Sequence, residues 1–164
     1  MGRAMAVVEV SREVVEERLG ALEEAYASFT VNQTTLSVSP DTYDRARERC
    51  QDGMADVYVQ VHNEAGDVLL VEGDREWTVP SVRPPTSQPI EVGTRRLLAD
   101  RTGVQCRITD LERVTILGIR HEDDADRETV YRLVVVFAAE RVAGSPDSGV
   151  AWHTELPSSA GPAH

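Results

Sequence analysis

At 164 residues the chain is sized for one domain with its own core, which makes a two-domain arrangement unexpected. Its 28 acidic residues against 17 basic ones, every one of them arginine, give a net charge of −11, a surface that repels nucleic-acid polymers and anionic membranes. No apolar run approaches the roughly 20 residues needed to cross a bilayer, and two cysteines, Cys50 and Cys106, are too few for a disulfide framework or a zinc knuckle.

An acidic, lysine-free chain with 5% aromatic residues has the composition of a protein that stays soluble in concentrated salt, where repulsion among carboxylates is screened within a few ångströms. The expected setting is a halophilic cytoplasm, since Glu9 interrupts the N-terminus before an export signal of sufficient length can form. A melting temperature that climbs from low to molar salt is the expected behaviour; equal stability in both removes the assignment. Cys50 and Cys106 are expected to be buried or neutral thiols.

In chain order, residues 1–53 read as an N-terminal helical extension. Val10, Val14, Val15, Leu19, Leu22 and Tyr26 recur at helical spacing among five glutamates, an amphipathic helix with an acidic face. Thr34 to Val38 alternates weakly like a short strand. Ser39 as N-cap, Pro40 at the first helical position and Asp41 in the first turn announce a second helix running through Arg49 and ending near Gly53. This extension is expected to be a structural addition, with a cap over a cleft or a dimerisation element as the functional reading.

From Ala55 the period becomes two. Val57, Val59 and Val61 alternate with Tyr58, Gln60 and His62; Asn63 to Asp67 supplies turn chemistry, and Val68 to Val71 returns as the second strand of a hairpin. A short strand, Glu76 to Val79, ends at Pro80, and a loop holding Pro80, Pro84, Pro85 and Pro89 leads to a helix in the segment 90–102, closed by Gly103. Strands are then expected at Val104–Ile108, Val114–Arg120 and Thr129–Glu140, with an acidic loop, His121 to Glu128, between the last two. Val150 to Leu156 forms a final short strand carrying Trp152, and 158–164 is a polar tail. Helices followed by strands, one helix and more strands make an α+β fold with a mixed sheet covered by helices.

One stretch carries a family signature. Trp77-Thr78-Val79-Pro80-Ser81-Val82, followed at fixed spacing by Arg96-Leu97-Leu98-Ala99-Asp100-Arg101-Thr102-Gly103-Val104, resembles the box of Nudix (MutT-like) hydrolases, written GX5EX7REUXEEXGU with U aliphatic. Counting back from Gly103, Val82 stands where the box opens with glycine and Gln88 where its first glutamate falls. Arg96 matches the box arginine and Leu97 replaces the next glutamate. Asp100 keeps a carboxylate at the first of the paired glutamates, and Arg101 replaces the second. The valine hairpin before the box and the Trp152 to Leu156 segment after it extend the resemblance to about 100 residues, a Nudix-like domain over 54–157.

The resemblance implies a Nudix-type α/β/α sandwich and a hydrolase that cleaves the pyrophosphate bond of a nucleoside diphosphate linked to another moiety, with Mg2+ or Mn2+ as cofactor. Asp100 would be the surviving metal ligand and Arg96 the residue orienting it, the two catalytic candidates. Helix positions three and four apart share a face, and in the family that face gathers glutamates around a hard cation. Here it carries Leu97, Asp100 and Arg101, and a guanidinium brings fixed positive charge where the cation would sit. The second reading is therefore a catalytically silent domain binding a nucleotide, a nucleotide-sugar-like ligand or a protein partner, with Arg96 and Arg101, joined by Arg83 and Arg95, as forked phosphate donors and Arg101 in place of the metal. Carboxylates of residues 122–128 or Glu140 could rebuild a metal site, although an acidic run is more often a solvated loop. His121, His153, Trp77 and Trp152 are expected to be structural, and a homodimer through the N-terminal helices is the third reading.

Overall fold

The computed structural model describes residues 3–26, 29–49, 55–85, 88–124 and 126–156. Helix α1 spans Arg3–Ala25, strand β1 Thr30–Val38 and helix α2 Pro40–Arg49. The cap of α2 is the one its sequence announces: the Thr42 amide donates to Ser39 Oγ at 3.3 Å. The expected end of this helix near Gly53 lies outside the described residues, as do Cys50 and the tail from residue 157.

The hairpin is β2 (Ala55–His62) and β3 (Val68–Glu72). Its turn is held by Asn63, whose Oδ1 accepts from the Ala65 and Asp67 amides at 3.0 and 2.9 Å, while Gly66 supplies the positive φ of 83°. Short strands β4 (Trp77–Thr78) and β5 (Ser81–Val82) bracket Pro80, and helix α3 covers Ile90–Thr102. Long strands β6 (Val104–His121) and β7 (Val130–Gly144) then pair antiparallel across the acidic loop, and β8 (Val150–His153) closes against β3.

Two corrections to the sequence reading follow. The strands expected at 104–108 and 114–120 are one continuous strand, because three register shifts between residues 105 and 113 break its two-residue period without ending its pairing. The segment around 34–38 is longer than its weak alternation suggests: β1 pairs in parallel with β6 along nine residues, so the N-terminal extension supplies the edge of the main sheet. The strand path β1-β6-β7-β2-β3-β4 is mixed, with parallel β1–β6 and β2–β7 and the remaining pairs antiparallel.

The core follows from the alternation in β2. Ala55, Val57, Val59 and Val61 are fully buried and meet Leu133, Val135, Phe137 and Ala139 of the parallel neighbour, with Val15 and Leu22 of α1, Tyr43 of α2 and Ile90 and Leu98 of α3 closing over them. A smaller cluster, Val68, Leu70 and Val79 with Tyr58 and Trp77, packs separately and accounts for Trp77 as a structural residue. Arg18 pins α1 to the loop before α3, donating to the carbonyls of Pro85 at 2.6 Å and Gln88 at 3.4 Å. Its pKa is lowered by burial, against the opposing pull of Glu17 and Glu91.

Cys106 lies buried in this core, and burial pushes its thiol up to about 11, with Arg95 pulling slightly the other way. At pH 8 on the order of one thiol in a thousand is then ionised, so Cys106 in the folded protein should resist iodoacetamide over hours while the unfolded chain reacts within minutes. Peptide mass spectrometry after timed labelling reads this directly, and rapid native labelling would refute it. The linkage has a sign. The folded thiol keeps its proton where an unfolded one, ordinarily near 9, loses it, so its contribution to stability is whole below that pH and disappears as pH rises toward 11.

Candidate functional site

Helix α3 is placed by its C-terminus. Gly103 takes the left-handed conformation, φ 80°, and its amide donates to the Ala99 carbonyl at 2.9 Å. Thr102, fully buried, donates from Oγ1 to the Leu98 carbonyl at 2.7 Å and accepts from the Val104 amide at 3.2 Å; its own carbonyl receives the Asp147 amide at 2.8 Å. The last turn is thereby fixed against the start of β6 and the loop beyond β7. Leu98 points into the core, Leu97 lies half-buried against it, and Asp100 and Arg101 turn outward.

Leu97, Asp100 and Arg101 form one wall of a cleft of about 640 Å³. Asp56 and Tyr58 of β2, Ser81 and Val82 of β5, and Arg83 complete it. The two sides are tied where Arg101 Nη1 donates to the Ser81 carbonyl at 2.8 Å, and Ser81 is itself paired with Tyr58 across the sheet. Beneath Asp56 lies Arg132 of β7, its side chain 2% exposed, making a two-pronged pair: Nε to Oδ2 at 2.9 Å and Nη2 to Oδ1 at 3.1 Å.

Of the residues singled out from sequence, the cleft gathers Asp100, Arg101 and Arg83, with Leu97 beside them. Arg96 is exposed on α3 and does not line it, and Gln88, at the position of the first box glutamate, stands in the loop that receives Arg18. The acidic loop is engaged elsewhere: the Glu122 amide bonds to the Val38 carbonyl, and Arg127 reaches Asp44 at 3.6 Å and lies over the Tyr43 ring. Glu140 pairs with Arg107. None of these acids stands beside Asp100 in the cleft wall. His121 packs edge-on against Tyr43 and His153 against Trp77, both outside the cleft. Among the described residues none of 3–49 lines it, and α1 and α2 pack on the core through Val15, Leu22 and Tyr43.

Sequence reasoning missed Asp56, Ser81 and Arg132. A signal existed for the first: a carboxylate inside a valine-rich strand is disfavoured and calls for a partner. That partner lies 76 residues away, which local patterning does not reveal.

A resident divalent ion does not fit this donor set. Among the described residues, no three His, Cys, Asp or Glu side chains are grouped as metal ligands. Of the two carboxylates on the cleft, Asp56 has its charge countered by Arg132, and Asp100 is followed by a guanidinium. Magnesium, reluctant to shed water, is held by carboxylate oxygens that are open to it.

No family model matches the chain, and no curated protein matches it. Solved structures do resemble it. A Nudix hydrolase from Nitrosomonas europaea is 19% identical, over 62% of this chain and 72% of that one, with a TM-score of 0.46. An ADP-ribose pyrophosphatase from Streptococcus suis is 13% identical, over 63% and 76%, at 0.43. An Ap4A hydrolase from C. elegans is 13% identical, over 61% and 79%, at 0.42. At such identities and TM-scores the likeness assigns neither family nor chemistry to this chain. The chain itself is α+β, with a mixed sheet and, among the described residues, three helices.

Proposed function

We propose that the cleft binds the phosphate groups of a small nucleotide-like ligand through Arg101 and Arg83, without a resident divalent ion. The observation that carries this is the lining itself: two guanidinium groups share one cleft with the helix position where the family box would place paired glutamates. A guanidinium fork matches phosphate oxygens in geometry and keeps its charge at every working pH. The Ser81 carbonyl takes one of Arg101's five N–H groups, orienting the fork and leaving other donors on the same plane. In a protein of net charge −11, a local pair of arginines also gives an anionic ligand one favourable place to land.

Calorimetric titration with ADP-ribose and ADP in metal-free buffer should give heat that Arg101→Ala weakens by roughly 10- to 100-fold in affinity, the span of one lost charge-assisted hydrogen bond. Silence toward every phosphate ligand would eliminate the reading.

A hydrolase remains the competing reading, favoured by Asp100 and Asp56 facing the same cleft. It requires turnover of ADP-ribose, dinucleoside polyphosphates or nucleoside triphosphates in magnesium at high salt, and that turnover must fall with Asp100→Asn. Absent turnover, or turnover indifferent to that change, leaves the binding domain.

A further inference from the structure

We infer that Asp56, held by Arg132, accepts hydrogen bonds from sugar hydroxyls of the ligand, so that the cleft selects a phosphorylated sugar over a bare phosphate chain. This rests on the phosphate-binding reading above and adds the second half of the ligand to it.

The geometry of the pair is the starting point. Arg132 is 2% exposed while the Asp56 side chain is 26% exposed, so the guanidinium is the buried member and the carboxylate is its face toward the cleft. Each carboxylate oxygen takes one bond from the guanidinium, at 2.9 and 3.1 Å. A carboxylate offers about four acceptor sites, so two outer ones stay available, with their direction set by the clamp behind. A purely structural pair would gain nothing from this half-open placement, since water weakens it.

The same clamp decides what Asp56 accepts. An unpaired carboxylate would favour an ammonium or a metal cation, whereas the positive charge of Arg132 nearly cancels that of Asp56. What remains is a pair of oriented acceptors with little net field, matched by neutral hydroxyl donors. Phosphate is poorly matched there, because its oxygens chiefly accept and carry the same sign of charge as the carboxylate. It belongs at the Arg83 and Arg101 end.

The separation of the two ends fits one sugar unit. Arg101 is anchored at Ser81, which pairs with Tyr58, and Tyr58 stands two residues along β2 from Asp56 on the same face. Two strand residues span about 7 Å, the reach of one sugar ring from its phosphate to its far hydroxyls. Tyr58 occupies the middle of that wall, with Val82 and Leu97 giving apolar surface for the ring.

The test uses the unmodified protein first. ADP, 2′,3′-dideoxyadenosine 5′-diphosphate, ribose 5-phosphate and pyrophosphate are titrated in metal-free buffer. ADP or ribose 5-phosphate should bind at least about tenfold more tightly than pyrophosphate, and loss of both hydroxyls from ADP should cost about tenfold. Ribose 5-phosphate equal to ADP identifies a sugar phosphate as the ligand; ADP well ahead identifies a nucleotide; either supports the inference. In Asp56→Asn the difference between ADP and its dideoxy form should shrink, while pyrophosphate affinity should hold or rise, since the charge of Arg132 is then uncovered. If that variant fails to fold, the hydroxyl effect in the unmodified protein stands as the deciding measurement. Equal affinity for ADP and its dideoxy form, with pyrophosphate binding intact, overturns this inference and leaves the phosphate site standing. No binding of any of the four overturns both.

Discussion

Asp56→Ala is expected to lower folding stability by about 3–5 kcal/mol, the range for stripping one partner from a buried charge pair. The loss comes from Arg132, whose guanidinium at 2% exposure cannot recover its hydration without opening the β2–β7 seam. Urea denaturation followed by far-UV circular dichroism measures it. Asp56→Asn keeps an acceptor oxygen and should lose less. The informative comparison is the double variant Asp56→Val with Arg132→Met, in which no charge is left stranded and much of the stability should return. A single-variant loss under about 1 kcal/mol would mean that the other interactions of Arg132 hold it without Asp56, and the clamp behind Asp56 would lose its structural meaning.

Gly103→Val should destabilise by about 2–5 kcal/mol, combining roughly 1–2 for a side chain in the left-handed region with roughly 1–3 for overpacking. A Cβ built at Gly103 would stand 2.6 Å from the Ser145 carbonyl oxygen and 2.6 Å from Asp147 Oδ1, and a backbone carbonyl cannot swing aside. The control is Gly20→Ala in α1, where nothing lies within 4 Å of an added Cβ and helix propensity alone predicts a gain of about 0.5–1 kcal/mol. Thermal melts of the two variants should move in opposite directions. If both lower the melting temperature equally, backbone conformation at Gly103 is not what matters.

Much of the scaffold was legible because its signals are local. The valine alternation of β2 states which residues face the core, and the Asn63 to Asp67 turn and the Gly103 cap each act within five residues. The parallel pairings were not legible: β1 with β6 and β2 with β7 join segments some 80 residues apart, and no periodicity encodes a partner. Strand β6 was split on paper because its bulges turn Asp110 and Glu112 outward in an irregular rhythm.

The site divides along the same line. Asp100 and Arg101 were found because box spacing is helix spacing, and α3 brings them to one face. Arg83 follows β5 directly and arrives in the cleft with it. Asp56 looked like one more polar residue on the outer face of a strand, and its meaning depends on an arginine contributed by another strand. Arg96 differs again: a matching letter in the box did not bring the residue to the cleft wall.

Gly103 and Gly144 abut so closely that a methyl group on either would strike backbone, which makes the end of α3 a dead stop rather than a pivot. A helix halted this way cannot slide or roll to suit a differently shaped guest. Movement of the cleft walls is therefore left to the opposite bank, which carries residues 58, 81 and 83 and lies clear of that junction.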